Sequence, residues 1–520
     1  MSPAAIADAK AKLLAKHGEP RRAEIERGVA QVAALWRTTD GDLAAFCLEQ
    51  LAPDAKARDA LFARLEAAIE QMDGHFLELG RTMRWGTEVE DGPQLPADRL
   101  LAAYDAGAHA IDDLFSSKVA FAALLNFPLT TLADRVRDGA RYSRRTWAEV
   151  RLTGRFERRV PGAIAMAKSA AEAASDSYIA GYNLWMHHVL GEGGERRFPL
   201  KKRLISHWNL RDELKANYAD KDGLPKQRTI ARLMDRIVTQ TIPRAVIDNP
   251  RLDWDPASNR VTAAPAAEIE ADAPAERPAA PSAEREPDTR FEYVRAHLRA
   301  ERDIDRYSPT APTALERAFS KAELPEARVR AILVELLGSP LAARVGKEVE
   351  RRLGRKLEPH DIWFEFEGRT IPEAELDALT RKRYPTAAAF ATDLPRILRD
   401  LGFAAPRARY LAERIAVDPS RGAGHAMEAR RRGDKAHLRT RVEPGGMDYK
   451  GYNIAVHELG HNVEQVFSLY DVDHTLLAGV PNTAFTEALA FLFQARDLAL
   501  LGRPVRGAEV ERLRVLETYW

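Results

Sequence analysis

His457 and His461 stand four residues apart in His457-Glu458-Leu459-Gly460-His461. On a helix, two imidazoles at that spacing share one face and can grip a single zinc ion. Glu458 between them falls beside the open coordination position, where a carboxylate takes a proton from water and later passes it to a leaving amine. These residue types suit metal-dependent hydrolysis, with Glu458 as general base. A two-histidine site needs a third protein ligand. Glu487, in Asn482-Thr483-Ala484-Phe485-Thr486-Glu487-Ala488-Leu489-Ala490, follows at a distance that suits a second helix packed across the first. Residues 479–483 read as a loop with Asn482 or Thr483 as N-cap, so Glu487 falls in the first or second turn of that helix. Three protein ligands leave the fourth position to water, as a catalytic zinc ion requires, and one zinc ion is the expected cofactor.

The elements that must hold these residues are also legible. Tyr452, Val456, Leu459, Val463 and Val466 recur at three- and four-residue spacing beside the histidine face, which predicts a buried helix. Gly460, a poor helix former, leaves room for another backbone or a substrate to come close. His437 to Val442 alternates polar and apolar side chains and predicts a strand beside the helix. Pro444-Gly445-Gly446 turns the chain into the helix, with Asp448 as its cap.

Over roughly residues 420 to 500, these motifs resemble the gluzincin metallopeptidases, which use His-Glu-x-x-His and a downstream Glu. The nearest pattern is that of the largely helical thimet oligopeptidase and oligoendopeptidase F family, with the angiotensin-converting-enzyme family as a cousin. The resemblance implies that His457, His461 and Glu487 are the ligands, Glu458 the base, and Gly479 the glycine before the ligand glutamate. It also implies that a strand upstream of the helix binds the peptide main chain. Gly424-His425-Ala426-Met427 is similar to that segment, which makes His425 and Ala426 the substrate-binding candidates. Two departures stand out. The converting-enzyme pattern has an acid four residues after the ligand glutamate to orient a histidine, where this chain has Phe491. Both families take a Tyr and a His that stabilise the transition state from beyond the ligand glutamate, and the chain's stop at Trp520 leads to the expectation that these donors are missing and that the chain is truncated or shortened.

The 520 residues, 45% hydrophobic and 30% charged, are enough for two domains or one large helical body. Lys plus Arg (78) balances Asp plus Glu (77), which gives no support for nucleic-acid or acidic-membrane binding. The first residues lack the apolar core of a signal peptide and no apolar run reaches membrane-spanning length, so a cytoplasmic location and no membrane partner are expected. The single cysteine, Cys47, excludes an internal disulfide and reads as a small core residue. His437, and the Asp471-Val472-Asp473-His474 loop, read as ordinary hydrogen-bonded groups, not further ligands.

The expected fold is mostly α: a helical zincin-type metallopeptidase with a small β element beside the zinc helix. Residues 1–260 read as a helical N-terminal domain and 290–520 as a helical catalytic domain. Between them, 261–289 is rich in Ala, Pro, Glu and Arg with hardly a bulky apolar residue, and is expected to be a disordered linker. The function expected is zinc-dependent hydrolysis of short peptides. The alternative is a non-catalytic helical scaffold that binds zinc or peptide.

Overall fold

Apolar positions every three or four residues predict a mostly helical chain, and the computed structural model is mostly α, with three small sheets among the described residues. It describes every residue except 181, 201, 205–206, 272, 275–276, 278–279, 367–370, 372, 480–482 and 504–507. Two compact units interleave along the chain rather than meeting at residues 261–289. One comprises Met1–Ala170, Arg299–Val329 and Ala374–Pro504, and the other Ala171–Leu298, Arg330–Glu373 and Val505–Trp520.

The first unit begins with helices α1 (Pro3–His17), α2 (Arg22–Leu35), α3 (Leu43–Gln50), the long α4 (Ala55–Met83) and α5 (Val119–Asn126). Their apolar faces meet in a core that includes Leu13, Ile25, Val29, Phe62, Phe121 and Leu124. Cys47 lies fully buried in that core, where burial pushes its thiol up to about 12, so it is an inert packing residue. The unit's C-terminal part carries a three-stranded sheet of β1 (Ile415–Pro419), β2 (His425–Met427) and β3 (Ala436–Thr440). β3 is central, parallel to β1 and antiparallel to β2, so β2 is an edge strand. The strand expected from His437 lies at β3, ending at Thr440.

Helix α6 (Tyr449–Tyr470) follows, with the expected cap: Asp448 accepts from the Gly451 N–H at 2.7 Å. Thr440 at the end of β3 ties the sheet to it by donating its hydroxyl to Gly451 O at 2.6 Å. Helix α7 (Thr483–Gln494) comes next. Thr483 is its first residue, and the alternative cap Asn482 lies outside the described residues.

In the second unit, Ile230 and Leu233 from helix Gly223–Val238 pack with Leu252 and Trp254 of the hairpin Leu252–Asp255/Arg260–Ala263. This hairpin corrects the disorder expected from Val261. Downstream, Glu268 meets His187 Nε2 at 2.7 Å and Glu270 meets His188 Nε2 at 2.9 Å, while Asp253 holds His188 Nδ1 at 2.8 Å. Poor in apolar side chains, this stretch is anchored instead by carboxylates on buried histidines. Pro278 lies outside the described residues. Among the described residues, no helix is long and apolar enough to cross a membrane.

Candidate metal centre

Helix α6 buries Tyr452, Val456, Leu459, Val463 and Val466, as their spacing requires, and this fixes the rotation of its histidine edge. Gly460 lies where α7 crosses. A Cβ there would sit 2.6 Å from Ala490 Cα, so the glycine admits the α7 backbone itself. Gly460→Ala is therefore expected to force the two helices apart and cost about 1–3 kcal/mol of stability. Thermal melting with zinc titration checks this: a stable variant with unchanged zinc affinity would contradict the role given to the crossing.

The crossing brings the third residue in. Glu487 Oε2 lies 3.3 Å from His457 Nε2, and its Oε1 lies 3.5 Å from His461 Nε2. One ligand atom from each of the three falls within 4.8 Å of the others. A tetrahedral zinc ion with bonds of about 2.0–2.1 Å separates its donors by roughly 3.3–3.4 Å, so the donor types fit that ion and each imidazole stands near that distance from one oxygen of the carboxylate. Burial lowers the pKa of His461, outweighing the Glu487 carboxylate, so the ring favours the neutral form that carries a lone pair.

His457 is oriented by a chain of groups that starts at Asp497. The Asp497 carboxylate accepts from the Asn453 Nδ2 at 2.7 Å, from the Tyr449 hydroxyl at 2.5 Å and from the Leu498 N–H at 2.6 Å. Asn453 must then present Oδ1 to Gln494 Nε2, at 2.6 Å, and Gln494 must present Oε1 to His457 Nδ1, at 3.0 Å. The proton consequently sits on Nδ1 and the lone pair on Nε2, toward Glu487. Sequence reasoning missed Gln494, Asn453 and Asp497. The only signal was Gln494's place on the Glu487 face of α7, one turn beyond Phe491. Phe491 itself sets its ring edge-on to His457, with centroids 5.0 Å apart at 75°.

Glu458 is buried beside the edge strand, where the Ala426 N–H donates to its carboxylate. Burial and the nearby Glu487 charge push it up to about 7 against that hydrogen bond. A cation between the histidines and Glu487 would cancel the repulsion from Glu487 and draw Glu458 back toward the ordinary carboxylate range. Of the two substrate-strand candidates, Ala426 faces the centre through its backbone. The His425 ring lies instead against Ala423 O, at 3.1 Å, and the buried Arg439, at 3.4 Å. His437 Nδ1 pairs with Asp418 at 2.6 Å. Asp471, Asp473 and His474 pair with Arg407, Arg144 and Glu66.

One turn beyond His461, Glu464 is buried and accepts from the Ser468 hydroxyl. Its pKa is raised by burial, against the Ser468 hydrogen bond, with a smaller push from the Glu428 charge. A carboxyl raised on folding binds its proton more tightly in the folded state. It therefore destabilises the fold above its folded pKa, and the penalty disappears below its unfolded pKa of about 4.3. Glu464→Gln is expected to raise the melting temperature at pH 8 and leave it nearly unchanged at pH 4. The opposite ordering in melting scans would refute the sign.

With this geometry in view, no family model matches the chain, and no curated protein or solved structure is found similar to it.

Proposed function

We propose that this chain is a zinc-dependent peptidase acting on short peptides, of the gluzincin kind its motif resembles. The observation that carries the reading is the convergence of His457, His461 and Glu487 at zinc-like donor spacing beside the buried Glu458. A zinc ion bound there supplies a Lewis acid that polarises a peptide carbonyl and acidifies water. The chain's own residues do the rest. Gln494 and the groups behind it hold the His457 lone pair in place. The Glu458 carboxylate accepts a proton from the attacking water and gives it to the amide nitrogen as the C–N bond breaks, which leaves a carboxylate and an amine. β2, at the edge of its sheet, is placed to pair with an extended peptide, and burial around Glu458 keeps bulk water from its carboxylate.

Metal analysis of the purified protein, with a mixed-peptide cleavage assay on native and chelator-treated samples, tests the reading. One zinc per chain is expected, with cleavage that chelation abolishes and zinc restores. Stoichiometric zinc without cleavage of any peptide would overturn the peptidase reading and favour the non-catalytic scaffold.

A further inference from the structure

Phe491 is 59% exposed although its ring rests on His457, and Leu492 beside it is 66% exposed. Ala488 and Ala484, one and two turns earlier on α7, are exposed as well. This apolar surface is continuous with Glu487 at the metal centre, and Gln494 already does the orienting that the resemblance would assign to position 491. An aromatic ring left to solvent against a ligand histidine has apolar area to offer a bound molecule.

The direction of a bound peptide follows from the packing. β2 runs the same way as α6: a Cβ on Gly424 would strike Ile454, the Ala426 N–H meets Glu458, and Asn462 Nδ2 reaches O of His437, the partner of Met427, at 3.4 Å. α7 runs the opposite way, with Ala490 at Gly460, Gln494 at His457 and Asp497 at Asn453. Antiparallel pairing is the more stable way to extend the sheet at β2. A peptide so paired has the residues after its cleaved bond toward Gly424 and Ile454, which is the His457 side of the centre, where the Phe491 ring packs.

Resting on the peptidase reading, we infer that Phe491 and its apolar neighbours on α7 receive the side chain of the residue following the cleaved bond, and so select peptides with a large apolar residue there. The side chain packs against the exposed Phe491 ring while its main chain pairs with β2. One methylene in an apolar pocket discriminates by roughly tenfold or more.

The test first maps by mass spectrometry which bonds the zinc-loaded wild type cleaves in a peptide mixture. It then measures binding of blocked peptides to zinc-loaded Glu458→Gln protein, with Leu or Ala after the mapped bond, and separately with Leu or Ala before it. Leu after the bond is expected to bind about tenfold tighter than Ala in this background, to fall within about twofold of Ala when Phe491→Ala is added, and to recover with Phe491→Leu. Zinc content should stay at one per chain throughout. A preference that survives Phe491→Ala, or that tracks the residue before the bond, overturns this inference and leaves the peptidase reading standing. A wild type that binds zinc and cleaves nothing overturns both.

Discussion

Glu458→Gln is expected to bind zinc as the wild type does and to cleave peptides more slowly by about 10²–10⁴-fold, the usual worth of a positioned general base. Glutamine fits the same pocket beside Ala426 and can also hydrogen-bond the edge strand, so the fold and the three ligands should be undisturbed. What it lacks is a carboxylate to take a proton from the attacking water. The loss should therefore appear in kcat, with binding of peptide largely kept. Steady-state kinetics and metal analysis on the same preparation check this, and a variant that retains zinc and wild-type kcat would rule out the role given to Glu458.

Removing Glu487 should have the largest effect on the metal itself. Glu487→Ala leaves two imidazoles and solvent, so its zinc affinity should fall further than that of Gln494→Ala, for which about 10–100-fold is expected from the loss of an outer hydrogen bond. In Gln494→Ala the His457 ring keeps its contact with Phe491 but loses the acceptor that fixes its Nδ1 proton, and Asn453 Oδ1 loses its donor. Competition against a chelator of known affinity ranks the three proteins. Equal affinity for wild type and Glu487→Ala would contradict ligation by Glu487, and unchanged affinity in Gln494→Ala would contradict the relay from Asp497.

The site was legible where its signal is local. The four-residue spacing of His457 and His461, the apolar stripe of α6, the Asp448 cap and the room at Gly460 each depend on neighbours in sequence, and they follow from helix period and backbone sterics. Glu487 was within reach because it needed only a second helix after a short loop. The Gln494–Asn453–Asp497 chain was not. Each member is an unremarkable polar residue until the antiparallel crossing of α6 and α7 sets them in line, and that register comes from packing at Gly460 and Ala490. Phe491 shows the same limit: sequence marks it as a missing acid, whereas packing makes it a wall against His457. The stretch from Val261 was misjudged for another reason. Its poverty in apolar side chains argued for disorder, but Glu268 and Glu270 find their partners in His187 and His188, some eighty residues earlier in the chain. Composition cannot reveal such long-range contacts, nor can it reveal that the two units interleave.

The most direct measurement is X-ray absorption at the zinc edge on protein carrying one equivalent of zinc, compared with His461→Ala and Glu487→Ala. A single ion held by His457, His461 and Glu487 should give only nitrogen and oxygen neighbours near 2.0–2.1 Å, with scattering from two imidazoles that drops to one in His461→Ala and stays at two in Glu487→Ala. A spectrum with sulfur neighbours, or one left unchanged by both substitutions, would place the metal elsewhere and contradict the centre described for α6 and α7.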